Sequence, residues 1–167
     1  GAYKPTTKEV PVRDASGHII EENGEPIKES RVIYEFVAQS FLHAYVDAWK
    51  KYAASNGETP AGEYLVIEEI NRGNCAQIFG DLFQLLDRND SGFSDYPIKA
   101  DDDMRRYLKK TFDGISISQR DSINALYRGR DVIQEVLEGK SLLLPNNLFI
   151  WASMNTSDQS LFPIDSA

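Results

Sequence analysis

Tyr64-Leu-Val-Ile-Glu-Glu-Ile-Asn-Arg-Gly-Asn74 is an apolar run that stops at two adjacent carboxylates. Its first four residues, Tyr64 to Ile67, are too few for a buried helix and suit a strand hidden on both faces of a parallel sheet. Glu68 and Glu69 then fall at the C-terminal end of that strand, the edge of an open α/β sheet where ligands collect. A carboxylate there can hold the water shell of Mg²⁺, an ion that keeps most of its waters and takes one or two protein oxygens. The neighbouring carboxylate is then free to face an attacking water. The same pattern also describes an ordinary solvated strand end.

Leu148-Phe-Ile-Trp-Ala-Ser153 reads as a second buried strand and runs directly into the polar loop Met154-Asn-Thr-Ser-Asp-Gln-Ser160. Two core strands thus end in polar clusters. Glu68-Glu-Ile-Asn-Arg-Gly-Asn74, taken with Leu144-Pro-Asn-Asn-Leu-Phe-Ile-Trp-Ala-Ser-Met-Asn-Thr-Ser-Asp-Gln-Ser-Leu-Phe-Pro-Ile-Asp165, resembles the McrB-type branch of the AAA+ NTPases. These are the motor subunits of modified-cytosine restriction systems and their relatives.

The resemblance covers three pieces. Gly1-Ala-Tyr-Lys-Pro5, with Tyr34-Glu-Phe-Val37 and the helix after it, is similar to the segment preceding the Walker B strand. Residues 64 to 88 are similar to that strand and its helix, and residues 144 to 166 to the sensor I strand and signature loop. Residues 89 to 143 match no family piece. The implied fold is α/β: a partial AAA+ P-loop NTPase core with a parallel sheet and flanking helices. One domain over 1–167 is expected, with a β-hairpin region at 1–37, helix, Walker B strand and helix at 38–88, a helical insertion at 89–143, and the sensor I strand and loop at 144–167.

Carried over by position, the resemblance implies that Glu68 holds hydrated Mg²⁺, Glu69 polarises the lytic water, and Asn155 orients that water or touches the γ-phosphate. Asn71, Arg72 and Asn74 correspond to the family's residues after Walker B, where an arginine can reach across a subunit boundary. Thr156 and Asp158 stand in the signature loop in supporting roles. The chain departs from the pattern twice. Glu68 stands where most AAA+ proteins have Asp, moving the carboxylate by about one bond length, and Gln159 replaces the signature-loop arginine. GTP or ATP is the implied nucleotide, and the implied partners are further copies in a ring and a McrC-like nuclease subunit.

No stretch fits the Walker A pattern Gly-x-x-x-x-Gly-Lys-Ser/Thr, which supplies backbone N–H groups and a lysine to the phosphates. The chain also stops before the family's paired arginines and helical lid. An interior fragment of a larger protein is therefore expected, inactive alone, because phosphoryl transfer depends almost wholly on positioning and charge stabilisation. The alternative is a non-catalytic AAA+-like regulatory or assembly module in which Glu68 marks a weakened metal site.

With 167 residues, 41% apolar and 26% charged, the chain is long enough for one ordinary core and has the composition of a soluble globular protein. A net charge of −8 argues against this surface gripping a phosphate backbone, so DNA contact is expected in other domains. The one cysteine, Cys75, excludes an internal disulfide and reads as a small buried residue. No signal peptide or membrane-length apolar run occurs, which fits a reducing cytoplasm.

Short β-branched runs punctuated by Ser16-Gly17 and Asn23-Gly24 predict hairpins over residues 8 to 37. Between Ala38 and Gly57, Phe41, Tyr45, Ala48, Trp49 and Tyr52 recur at helical spacing and predict a core-packed amphipathic helix. Asn74 with Gln77 imitates a capping box, and Cys75, Phe79, Leu82 and Leu86 trace the stripe of the next helix, which Arg88-Asn-Asp-Ser-Gly92 ends. Asp101 to Lys110 predicts a helix with acids in its first turn and bases in its last, and its Asp triplet lacks the spacing of a Ca²⁺ loop. Asp121 to Leu137 predicts another, interrupted near Gly129. His18 and His43 have no metal-ligand spacing.

Overall fold

In the computed structural model, residues 2–14, 16–37, 40–68 and 80–154 are described. The chain forms two compact units, Gly1–Gln39 and Ser40–Ala167.

The first unit is a β-ribbon. Strands β1 (Ala2–Pro11) and β4 (Lys28–Val37) pair antiparallel along their whole length, from Ala2 opposite Val37 to Pro11 opposite Lys28. Beyond Pro11 the ladder divides into two arms. Val12 N donates to Ile27 O (2.8 Å), Ile27 N to Ile20 O (2.9 Å), and Ile20 N to Val12 O (2.9 Å), which closes a ring. One arm turns at Asp14, whose Oδ1 accepts from the backbone N–H groups of Ser16 and His18. The other is the short pair β2 (Glu21–Glu22) and β3 (Glu25–Pro26), joined by Asn23-Gly24. Both turn residues have positive φ, 55° and 83°, as the mirror-image turn of a two-residue hairpin requires.

The second unit is organised around helix α1 (Ser40–Ala54), which packs on the parallel strands β5 (Glu63–Ile67) and β8 (Leu148–Ala152). The predicted stripe is its core face: Tyr45, Ala48, Trp49 and Tyr52 are buried, and Asn56 and Gly57 end the helix in left-handed conformation. The predicted stripe after the first strand is corrected in part. Residues 80–86 form a 3₁₀ helix (Gly80–Leu86), whose three residues per turn bury Leu85 and leave Leu86 exposed, where an α-helical period put Leu86 inside.

Between the parallel strands come β6 (Ile98–Lys99), helices α2 (Asp102–Thr111), α3 (Arg120–Ala125) and α4 (Val132–Leu137), and β7 (Ser141–Leu142), which pairs antiparallel with β6. The Asp triplet acts as a helix start: Asp101 Oδ1 accepts from Met104 N at 2.8 Å and Asp103 pairs with Arg106. The predicted break falls at Arg128 and Gly129, both at positive φ, so two short helices replace one. Asp131 caps α4 through Gln134 N, and the Arg120 guanidinium beside it holds its carboxyl down at about 2.

Gly139 ends this region at φ +67, where an added Cβ would lie 2.6 Å from Arg105 O. Gly139→Ala is therefore expected to cost at least about 1–2 kcal/mol from the left-handed backbone alone, and more as α2 is pushed aside. Thermal unfolding checks this; an unchanged melting temperature would show that the contact relaxes freely.

Candidate functional site

The two strands that lead into the acid- and amide-bearing segments lie side by side. β5 and β8 are hydrogen-bonded neighbours running the same way, with Glu63 opposite Leu148, Leu65 opposite Ile150 and Ile67 opposite Ala152. The ladder continues one step past the strands, where Ser153 N donates to Ile67 O at 2.9 Å. Glu68 thus leaves β5 beside Ser153, and both are exposed at the C-terminal rim. Of the residues singled out in the sequence, Glu68 is the one described; Glu69, Asn71, Arg72, Asn74, Asn155, Thr156 and Asp158 lie outside the described residues, as does Cys75.

The opposite end of this sheet is anchored rather than open. Asn147, buried just ahead of β8, donates from Nδ2 to Ala48 O (3.0 Å) and Ala61 O (2.9 Å), while its backbone carbonyl accepts from Glu63 N at 2.7 Å. Lys51 reaches Gly62 O and the Glu63 carboxylate at 2.9 and 2.7 Å. Arg88 adds a clamp that the sequence reading missed. Its guanidinium donates to the carbonyls of Gly92 (2.7 Å), Pro145 (2.9 Å) and Leu148 (2.9 Å), and partial burial lowers its pKa. An arginine after a helical stripe reads as a surface residue, so only its distant carbonyl partners reveal the role.

A buried polar network adjoins this anchored end, ahead of β8. Ser94 Oγ donates to Leu85 O (2.6 Å) and accepts from Leu144 N (3.0 Å), and Tyr127 OH donates to Ser94 O at 2.6 Å. Burial pushes the Tyr127 phenol up to about 12 and raises that of Tyr45 further, so neither ionises at neutral pH. These groups hold the scaffold rather than exchange protons.

Among the described residues no group of three or more His, Cys, Asp or Glu gathers at metal distance, and Glu68 is a single exposed carboxylate at a strand end. One carboxylate with water and phosphate oxygens is the usual protein share for Mg²⁺. A hollow of about 390 Å³ lies elsewhere, bounded by α2, α4 and residues 112–117.

One expectation about the sheet is corrected. Among the described residues β5 and β8 are covered on one face only: Leu65 and Leu148 are buried against the core, whereas Tyr64, Val66, Phe149 and Trp151 on the other face are exposed. Tyr64 stacks on Phe149 (centroids 5.2 Å) and meets Trp151 edge-on (5.9 Å).

Over its full length the chain is 34% identical, across 173 aligned residues, to the type II restriction enzyme BsuMI component YdiS of Bacillus subtilis (strain 168). The chain is similar to a restriction-enzyme component. It spans 40% of that relative's length. No family model matches the chain, and no solved structure matches it. Among the described residues no helix is long and apolar enough to cross a membrane.

Proposed function

We propose that this chain is part of a Mg²⁺-dependent AAA+ motor of a McrB-like DNA restriction system, hydrolysing GTP or ATP in the cytoplasm as a ring and driving a McrC-like nuclease subunit, with DNA engaged by other domains. The observation that carries this reading is the parallel pairing of β5 and β8, which sets Glu68 beside Ser153, two residues before Asn155, at one rim. The similarity to a restriction-enzyme component supports the defence role.

In this reading Glu68 holds the water shell of the metal and Glu69, the next residue, accepts a proton from the attacking water. Asn155 orients that water against the γ-phosphate, and Asn71, Arg72 and Asn74 serve the nucleotide or a neighbouring subunit, with Thr156 and Asp158 in support. Mg²⁺, when bound, neutralises charge on the phosphates. The anchors at buried Asn147 and part-buried Arg88 keep the two strands in register, as a constellation held within about 0.5 Å requires.

The 167-residue chain alone is expected to show no saturable GTP or ATP turnover, and a polypeptide that also carries a phosphate-binding loop to show Mg²⁺-dependent turnover abolished by chelation. Phosphate-release assays on both decide it. A longer protein that binds its partners normally and hydrolyses neither nucleotide would establish the assembly-module alternative.

A further inference from the structure

The ribbon of the first unit has two outer edges, and they are not alike. Among the described residues β1 and β4 pair only with each other. Val12 N donates inward to Ile27 O, in the register that continues the ladder beyond Pro11 and Lys28. Because backbone N–H groups alternate sides along a strand, the even-numbered residues of β1 also donate inward and the odd-numbered ones line its outer edge. Pro5 and Pro11 fall on that edge, where neither has an N–H to offer. The outer edge of β4 carries Lys28, Ser30, Val32, Tyr34 and Phe36 with no proline among them. Proline blunts an edge against further pairing. The β1 edge is blunted and the β4 edge is left open.

The residues of β4 select what fits against it. Two antiparallel copies related by a two-fold axis must set outward backbone groups against outward ones, which allows few registers. With the axis at Ile33, residues 29–37 of the two copies overlap and Arg31 of each stands opposite Glu35 of the other. An axis at Val32 instead sets Glu29 against Glu35, one at Arg31 sets that arginine against itself, and one at Tyr34 leaves both charges opposite apolar residues. Opposite charges directly across a strand pair are stabilising and like charges destabilising. Within the ribbon Arg31 stands opposite Lys8, a like charge. A second copy supplies the acid that β1 does not.

We propose that the outer edge of β4 pairs antiparallel with the same edge of a second copy, centred on Ile33, to form a four-stranded sheet. Two strands alone are marginal in water, and three or more are needed for independent stability. A contact of this kind uses the same patch on both copies and closes at two, unlike the head-to-tail contacts of a ring. It therefore goes beyond the nucleotide reading and does not rest on it. One strand pair buries less than the roughly 1,200 Å² of a standard interface, so the association is weak and its test is made at high concentration.

Sedimentation equilibrium of the 167-residue chain should show monomers and dimers in exchange. Arg31→Glu and Glu35→Arg should each weaken the dimer by roughly tenfold or more, since each turns two attractive pairs into repulsive ones. An equimolar mixture of the two variants should associate to within a few-fold of the parent, because every cross-pair is then opposite in sign. A variant that had merely lost its fold would not be rescued by the other. Replacing the chain's one cysteine by Cys75→Ser allows a second test. Ile33→Cys should then give a disulfide-linked dimer, as directly opposed residues of a non-hydrogen-bonded pair lie about 4.5 Å apart at Cα. Val32→Cys, which the register sets opposite Tyr34, should not. A chain that stays monomeric up to about 1 mM, a mixture no tighter than its components, or equal cross-linking at positions 32 and 33 overturns the proposal.

Discussion

Glu69→Gln in the longer natural protein is expected to lower nucleotide turnover by roughly 10²–10⁴-fold, the range contributed by a positioned general base, while leaving nucleotide affinity within a few-fold of the parent. Glutamine keeps the size of the side chain and its ability to hydrogen-bond water. It loses the negative charge that polarises the water and the basicity to take its proton. Glu68 precedes it just past the end of β5, beside Ser153. Single-turnover hydrolysis and equilibrium nucleotide binding, measured on the same preparation, check this. Intact hydrolysis in the variant would remove Glu69 from the mechanism, and matching losses of binding and hydrolysis would make it a structural residue.

Trp49→Ala should be the most damaging of the core substitutions, at about 3–5 kcal/mol for a buried aromatic. Trp49 is fully buried on α1, packs against Tyr52 with centroids 5.6 Å apart, and donates from Nε1 to Leu143 O at 3.0 Å. Its removal opens a cavity and strands a buried carbonyl. Leu143 N is held by the Tyr45 hydroxyl of the same helix at 3.3 Å, so α1 supports both backbone groups of the residue that leads toward β8. With total stabilities of roughly 5–15 kcal/mol usual for a domain, the variant should lose most of its margin. Trp49→Phe separates the two contributions, retaining much of the volume and losing only the hydrogen bond, at about 1–3 kcal/mol. Denaturant unfolding of both variants checks the order; equal losses would mean that the hydrogen bond, and not the packing, dominates.

The elements legible from residue pattern were those whose local period and partner agree. The α1 stripe, the Asn23-Gly24 hairpin and the capped helix at Asp101 were each specified by neighbours within a few residues. Both parallel strands were legible as apolar runs, but their burial was not. An apolar strand implies cover on two faces, and the residues that supply the second cover need not be near it in the chain. Leu86 misled because a stripe read at 3.6 residues per turn drifts when the backbone tightens to three. Arg88 and Asn147 were invisible for a different reason: their partners are backbone carbonyls and N–H groups supplied by other elements, which carry no sequence signal. Of the rim itself, residue type gave two apolar strands ending in polar clusters and only the resemblance implied that they meet; β5 and β8 are parallel neighbours, and Glu68 follows the first of them.

Because Glu63 pairs with Leu148 across the whole intervening region, the β5–β8 ladder is among the most non-local contacts in the chain. Helices and hairpins close in microseconds or less, whereas pairing of distant strands must first overcome the entropy of the loop between them. On this ground the rim is expected to assemble after the local elements between its two strands have formed. Sequence changes in that stretch can delay or derail maturation of the acid-bearing edge without altering a single group on it.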